Sequence, residues 1–266
     1  MRILFLGDVV GRAARQKVIE TVSDIRAELA ADFVIVNVEN SAGGFGVTPD
    51  IADSFLAVGV DAMTTGNHVW DKREIFAYIE KEPRLIRPIN MPEGTSGNGM
   101  VTVTNDAGLR LTVVNAMANL FMAPNEPMFP ALSAVLDTVK LTIDTDAIMV
   151  DVHGEATSEK NATGILYDGR VSMVVGTHTH IPTADHRILP KGTAYMTDVG
   201  MCGDYTSVIG MNAEAAIGRF IGVDNGKLSV AMGEPSLSGI IVDTNDDTGL
   251  ATDITPFRRG GTLSQT

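Results

Sequence analysis

This sequence predicts an α/β fold in which a largely parallel or mixed sheet is covered by helices on both faces. Short β-branched apolar runs alternate along the chain with longer segments of helical apolar spacing. The runs also end repeatedly in Gly, Asp, Asn or His, as strands leading into functional loops do. The 266 residues suffice for a sizeable core. No apolar run approaches the roughly 20 residues that span a bilayer.

Residues 2–6 form the first apolar run. Arg2 followed by apolar residues has the look of a secretory signal, but Asp8 interrupts it too early, so a buried strand is expected. Residues 13–30 carry Val18, Val22, Ile25 and Leu29 at helical spacing, and residues 33–38 read as a second buried strand. After the glycine-rich loop Gly43-Gly44-Phe45-Gly46, Pro49 opens a helix at a favourable first-turn position. A strand over 61–65 and a helix over 72–80 follow. Strands are expected at 109–116 and 146–152 with a helix over 130–141 between them, then a helix over 155–166 and a strand over 171–176. Shorter strands are expected at 193–197, 227–232 and 238–243. Residues 1–257 are taken as one domain and 258–266 as a loose tail.

The formal net charge of −13 argues against long nucleic acid as a partner. A small anionic substrate fits only where local cations reverse the field. A lone cysteine, Cys202, excludes an intrachain disulfide and suits a reducing compartment, so the cytoplasm is expected and a membrane partner is not.

The chemistry concentrates at the strand ends. Asp8 follows the first strand, Glu39 and Asn40 end the second, and Asn67 and His68 follow the third. His153 follows the strand ending near Val152, and His178 and His180 follow the one ending at Gly176. In open α/β sheets such positions converge in one crevice. Each residue alone has a structural reading: Asp8 as a helix cap, Asn67 as a turn residue, a single histidine as part of the core. Five successive strand ends supplying oxygen or nitrogen donors point instead to a metal site. Mixed carboxylate, amide and imidazole donors suit Mn, Fe or Zn better than Mg or Ca. If residues 176–180 are extended, His178 and His180 face the same side.

These residues resemble the calcineurin-like metallophosphoesterases. The corresponding pieces are Gly7-Asp8, Glu39-Asn40, Gly66-Asn67-His68, Val152-His153 and Gly176-Thr177-His178-Thr179-His180. Two departures narrow the match: Val10 stands where that superfamily usually has a histidine, and Glu39 replaces an aspartate. Together with residues 38–46 and Asp198-Val199-Gly200-Met201, they make the chain similar to the YmdB-type branch over nearly its full length. The resemblance implies an αββα sandwich with mixed sheets flanked by helices. It also implies a binuclear centre of divalent or mixed-valence ions, Fe or Mn with Zn as an alternative. Asp8, Glu39, Asn40 and His180 would hold one metal, and Glu39, Asn67, His153 and His178 the other, with His68 as general acid. The implied reaction is hydrolysis of 2′,3′-cyclic nucleotides to 3′-monophosphates, with some action on 3′,5′-cyclic AMP.

The same residues allow other readings. A 5′-nucleotidase or general phosphomonoesterase could use the same metals, and a nucleotide-binding regulatory protein could retain the site without turnover. A dinucleotide-binding fold fits the alternation but leaves the histidines unexplained. Trp70 is equally a packing residue or a platform for a base, and His186 and Cys202 are assigned to structure. Residues beyond Asp198 complete the sheet and leave a homo-oligomer open.

Overall fold

In the computed structural model, which describes residues 1–123, 125–224 and 226–266, strand side chains alternate between two apolar layers. The order begins β1 (Arg2–Leu6), α1 (Gly11–Leu29), β2 (Phe33–Asn37), α2 (Pro49–Ala57), β3 (Ala62–Thr64) and α3 (Ile75–Ile79). It continues with β4 (Met100–Thr104), β5 (Arg110–Met117), α4 (Met128–Leu136), β6 (Ala147–His153), α5 (Thr157–Leu166) and β7 (Met173–Thr177). The last elements are β8 (Arg187–Ile188), β9 (Ala194–Met196), α6 (Ala213–Ile221), β10 (Leu237–Thr244) and β11 (Ala251–Arg259).

Two mixed sheets result, with strand orders β11-β10-β1-β2-β3 and β4-β5-β6-β7-β9-β8. β1, β2 and β3 are parallel to one another, as are β5, β6, β7 and β9. The antiparallel strands lie toward the edges. Ile3, Phe5, Phe33 and Ile35 from the first sheet pack with Leu111, Val113, Met149 and Met173 from the second. The alternate residues Leu4, Leu6, Val34 and Val36 pack with α1 and α2 through Val18, Val22 and Phe55. Val114, Val150 and Val174 pack likewise with Leu132 and Leu136 of α4. The layers are therefore α, β, β, α, as the resemblance implied. No helix among the described residues is long and apolar enough to cross a membrane.

The sheet geometry corrects several expectations. No strand forms over 227–232; Val230 makes one isolated bridge to Met211 and packs over Gly11 and Gly44 instead of joining a sheet edge. The helix expected over 72–80 shortens to α3, because its apolar positions Ile75 and Ile79 make one turn only. β4, β8, α6 and β11 have no counterpart among the expected elements. The segment expected to be loose begins inside β11, where Arg259 pairs with Glu28 on α1 at 2.7 Å. Beyond it, Thr266 N donates to Arg258 O at 3.3 Å and Gln265 hydrogen-bonds Gly260.

Candidate metal centre

Because the two parallel sets run to the same end of the sandwich, the loops after β1, β2, β3, β6 and β7 meet there. Close packing at that end depends on glycine. A Cβ on Gly66 would lie 2.2 Å from His153 Cδ2 and 2.4 Å from Glu39 Oε2. A Cβ on Gly7 would lie 1.8 Å from Gly200 O. Larger residues would hold the donor-bearing loops apart.

The tightest group is Glu39, His153 and His178, with one donor atom from each within 4.8 Å of the others. His153 Nε2 lies 3.0 Å from Glu39 Oε1, 3.1 Å from Asn67 Oδ1 and 3.2 Å from His178 Nδ1. On its far side His153 Nδ1 meets Thr177 Oγ1 at 2.9 Å, and that hydroxyl donates to Asp151 Oδ1 at 2.7 Å. The hydroxyl therefore accepts from Nδ1–H, which leaves Nε2 as a lone pair aimed at two acceptor oxygens. Acceptors converge on an acceptor there, an arrangement that a cation would stabilise. His180 is set the same way: its Nδ1 donates to Ile209 O at 2.8 Å, freeing Nε2 for the cavity.

Asp8 and Asn40 complete the floor. Asp8 Oδ2 accepts from His178 N at 3.1 Å, and Asn40 Nδ2 donates to Gly44 O at 2.9 Å. The second carboxylate oxygen of Asp8, Oδ1, and the amide oxygen of Asn40, Oδ1, are buried without a hydrogen-bond partner. An orphaned buried acceptor is costly, and a metal would satisfy both. The donor set thus fits a bound metal ion.

Burial governs the electrostatics. It pushes Asp8, Glu39 and Asp151 up to about 7, and depresses His153 to about 4 and His178 to about 3. Asp8, Glu39, Asp151 and Asp198 are all essentially inaccessible, whereas Lys160 is the one fully buried lysine among the described residues. Four buried carboxylates facing one buried ammonium make a floor that favours added positive charge.

His68 stands apart from the cluster. Its Nδ1 meets Asp71 Oδ2 at 2.8 Å and its ring meets the edge of Phe45 with centroids 5.0 Å apart, while its backbone N–H donates to Glu39 Oε2 at 3.2 Å. Glu39, Asn40, His68, His178 and His180 line one cavity of 440 Å³.

One expectation fails at the histidine pair. Residues 176–180 are not extended: β7 stops at Thr177, and His178 and His180 take left-handed backbone with φ of 95° and 66°. Side-chain direction is set by a turn rather than by strand alternation. That turn rests on residues the sequence did not single out for it. Lys160 Nζ donates to Thr177 O at 2.7 Å and to Asp198 Oδ2 at 2.9 Å, and Asp198 accepts from Thr179 N at 3.1 Å. Asp151 offered a visible signal, an acid inside the apolar run Ile148-Met149-Val150-Asp151-Val152. Lys160 offered none, since a lysine in a helix normally faces solvent.

The family description "YmdB-like protein" matches residues 4–257. The chain belongs to that family. A Bacillus subtilis (strain 168) relative named 2′,3′-cyclic-nucleotide 2′-phosphodiesterase is 47% identical over 255 residues, 96% of this chain and 95% of the relative. Among solved structures, a hypothetical protein from Thermus thermophilus aligns with a TM-score of 0.90 at 38% identity, covering 98% of this chain and 100% of the other. A structure described as a novel phosphatase from Mycoplasma pneumoniae aligns with a TM-score of 0.89 at 32% identity, covering 98% of this chain and 93% of the other.

Proposed function

We propose that this chain is a binuclear-metal phosphodiesterase that opens 2′,3′-cyclic nucleotides to 3′-monophosphates. The observation that carries the reading is the convergence of acceptor atoms on His153 Nε2, beside two orphaned buried oxygens. The Bacillus subtilis relative's name supplies the substrate class.

Glu39, Asn67, His153 and His178 would hold one ion, and Asp8, Glu39, Asn40 and His180 the other. Bound metals supply positive charge for the phosphate oxygens and activate water. The chain's own residues do the rest. The Thr177–Asp151 hydrogen bonds fix the His153 tautomer, and Ile209 O fixes that of His180. Asp71 fixes the His68 ring through Nδ1, leaving Nε2 as the atom that carries a proton to the departing 2′ oxygen. A cytoplasmic location and small phosphoester substrates accord with this reading.

Resolving the products of 2′,3′-cyclic AMP by chromatography tests it. Accumulation of 3′-AMP is expected. Formation of 2′-AMP would refute the scissile bond, and release of inorganic phosphate from monoesters at equal rate would favour a phosphatase.

A further inference from the structure

The site does not end at the metal-ligand cluster. His68 and His178, which line the central cavity, also line a second hollow of 360 Å³ with Asn67, Phe121 and Ala123. Asn67 and Ala123 in turn line a third, a trough of 470 Å³ that runs past Trp70, Phe76, Met91, Thr95 and Met117. The three hollows therefore adjoin one another across these shared residues. Asn67 is the hinge point, with its Oδ1 on His153 Nε2 and its flank on the trough.

The trough has the chemistry of a flat aromatic ligand. Trp70 and Phe76 stack with centroids 4.4 Å apart and planes 19° from parallel, and Phe76 is 44% exposed. Two thioethers, Met91 and Met117, face the same space. The far wall is held in place by Arg87, whose guanidinium donates to Thr95 O and Ser96 O, both at 3.0 Å. The near wall is held by Asn90, which donates to Met117 O at 2.8 Å. A preformed hollow of this size suits a small ligand, for which roughly 300–1,000 Å³ is usual. A purely structural stack would serve to cover Trp70, but it would not need a trough adjoining the donor cluster.

We propose that the trough seats the nucleobase of the substrate, stacked on the Trp70–Phe76 pair, while the phosphate lies at the metal centre. The assignment rests on the reaction proposed above and adds the basis of its preference for a nucleotide over any other cyclic phosphate. Stacking tolerates every base because each has a π face.

Trp70 is the only tryptophan in the chain, so its fluorescence reports on this trough alone. Titrating the full-length protein with adenosine and with 3′-AMP should quench that emission saturably, and ribose 5-phosphate should not. In parallel, kcat/KM for 2′,3′-cyclic AMP relative to glycerol 1,2-cyclic phosphate should fall about tenfold in Phe76→Ala, a change of the size that one lost base stack gives. Turnover of the cyclic nucleotide without adenosine quenching, or an equal loss on both substrates in Phe76→Ala, would overturn the base site and leave the reaction standing. Quenching by adenosine without turnover of any cyclic nucleotide would overturn the reaction and keep a nucleobase site.

Discussion

Replacing Lys160 by Met is the perturbation whose size follows most directly from the structure. Lys160 and Asp198 are 1% and 0% exposed at their side chains, so solvent does not screen the loss. Removing one partner of a buried pair costs about 3–5 kcal/mol. Asp198 retains N–H donors from Thr179 at 3.1 Å and Gly200 at 2.9 Å, which places its share near the low end, about 3 kcal/mol. Thr177 O also loses its Lys160 hydrogen bond, worth about 1 kcal/mol. Met fills most of the lysine stem's volume, so a cavity adds little. For 266 residues at about 2.1 cal/mol/K each, the unfolding entropy is about 0.56 kcal/mol/K, and a loss of about 4 kcal/mol lowers Tm by about 7 °C. Thermal unfolding followed by circular dichroism in the presence of chelator measures this without a contribution from bound metal. Lys160→Met with Asp198→Asn should recover part of the loss, because both charges are then gone while an amide oxygen remains to accept a backbone N–H. A shift under about 2 °C, or a double variant no better than the single one, would refute the view that this pair holds the turn carrying His178 and His180.

Three further outcomes are expected. His68→Ala should keep its metals, measured by elemental analysis, while kcat falls by about 10² to 10⁴; near-full turnover would remove His68 from the role of proton donor. Thr177→Val, which cuts the link between His153 and Asp151, should weaken metal binding by about 10- to 100-fold in calorimetric titration. Unchanged affinity would show that the link does not orient the ring. The metal-free protein should lose stability from pH 6.5 to about pH 8. Asp8, Glu39 and Asp151 sit near 7 when folded against 3.8 or 4.5 unfolded, so the folded state binds more protons and stability falls as pH rises. His153 and His178, near 4 and 3 against 6.5, act in the opposite direction only up to about pH 6.5. Denaturant melts with chelator should show the decline and metal-loaded protein should not; a flat metal-free profile would contradict it.

Much of this was legible in the sequence for a simple reason. β1, β2, β6 and β7 are buried on both faces, so they read as continuous apolar runs whose ends are marked by the polar residues Asp8, Glu39, His153 and His178. Edge strands carry no such mark. β11 contains Pro256 and several charged residues, and β4 alternates Val with Thr, patterns that a surface loop shares. The stretch 227–232 alternates like a strand but has no sheet edge to join. The left-handed turn at His178 and His180 depends on Lys160 and Asp198, which lie well away from those histidines along the chain. The burial of Lys160 is a property of the packing of α5 on β7, and local sequence does not encode it.

The most direct test of the central claim is to strip the protein with chelator, add Mn back stepwise, and follow bound metal per chain together with turnover of 2′,3′-cyclic AMP. Turnover that is absent without metal and returns as the second ion per chain fills is the predicted result. Full turnover by the stripped protein, or a maximum reached at one ion per chain, would contradict a binuclear centre built from these seven residues.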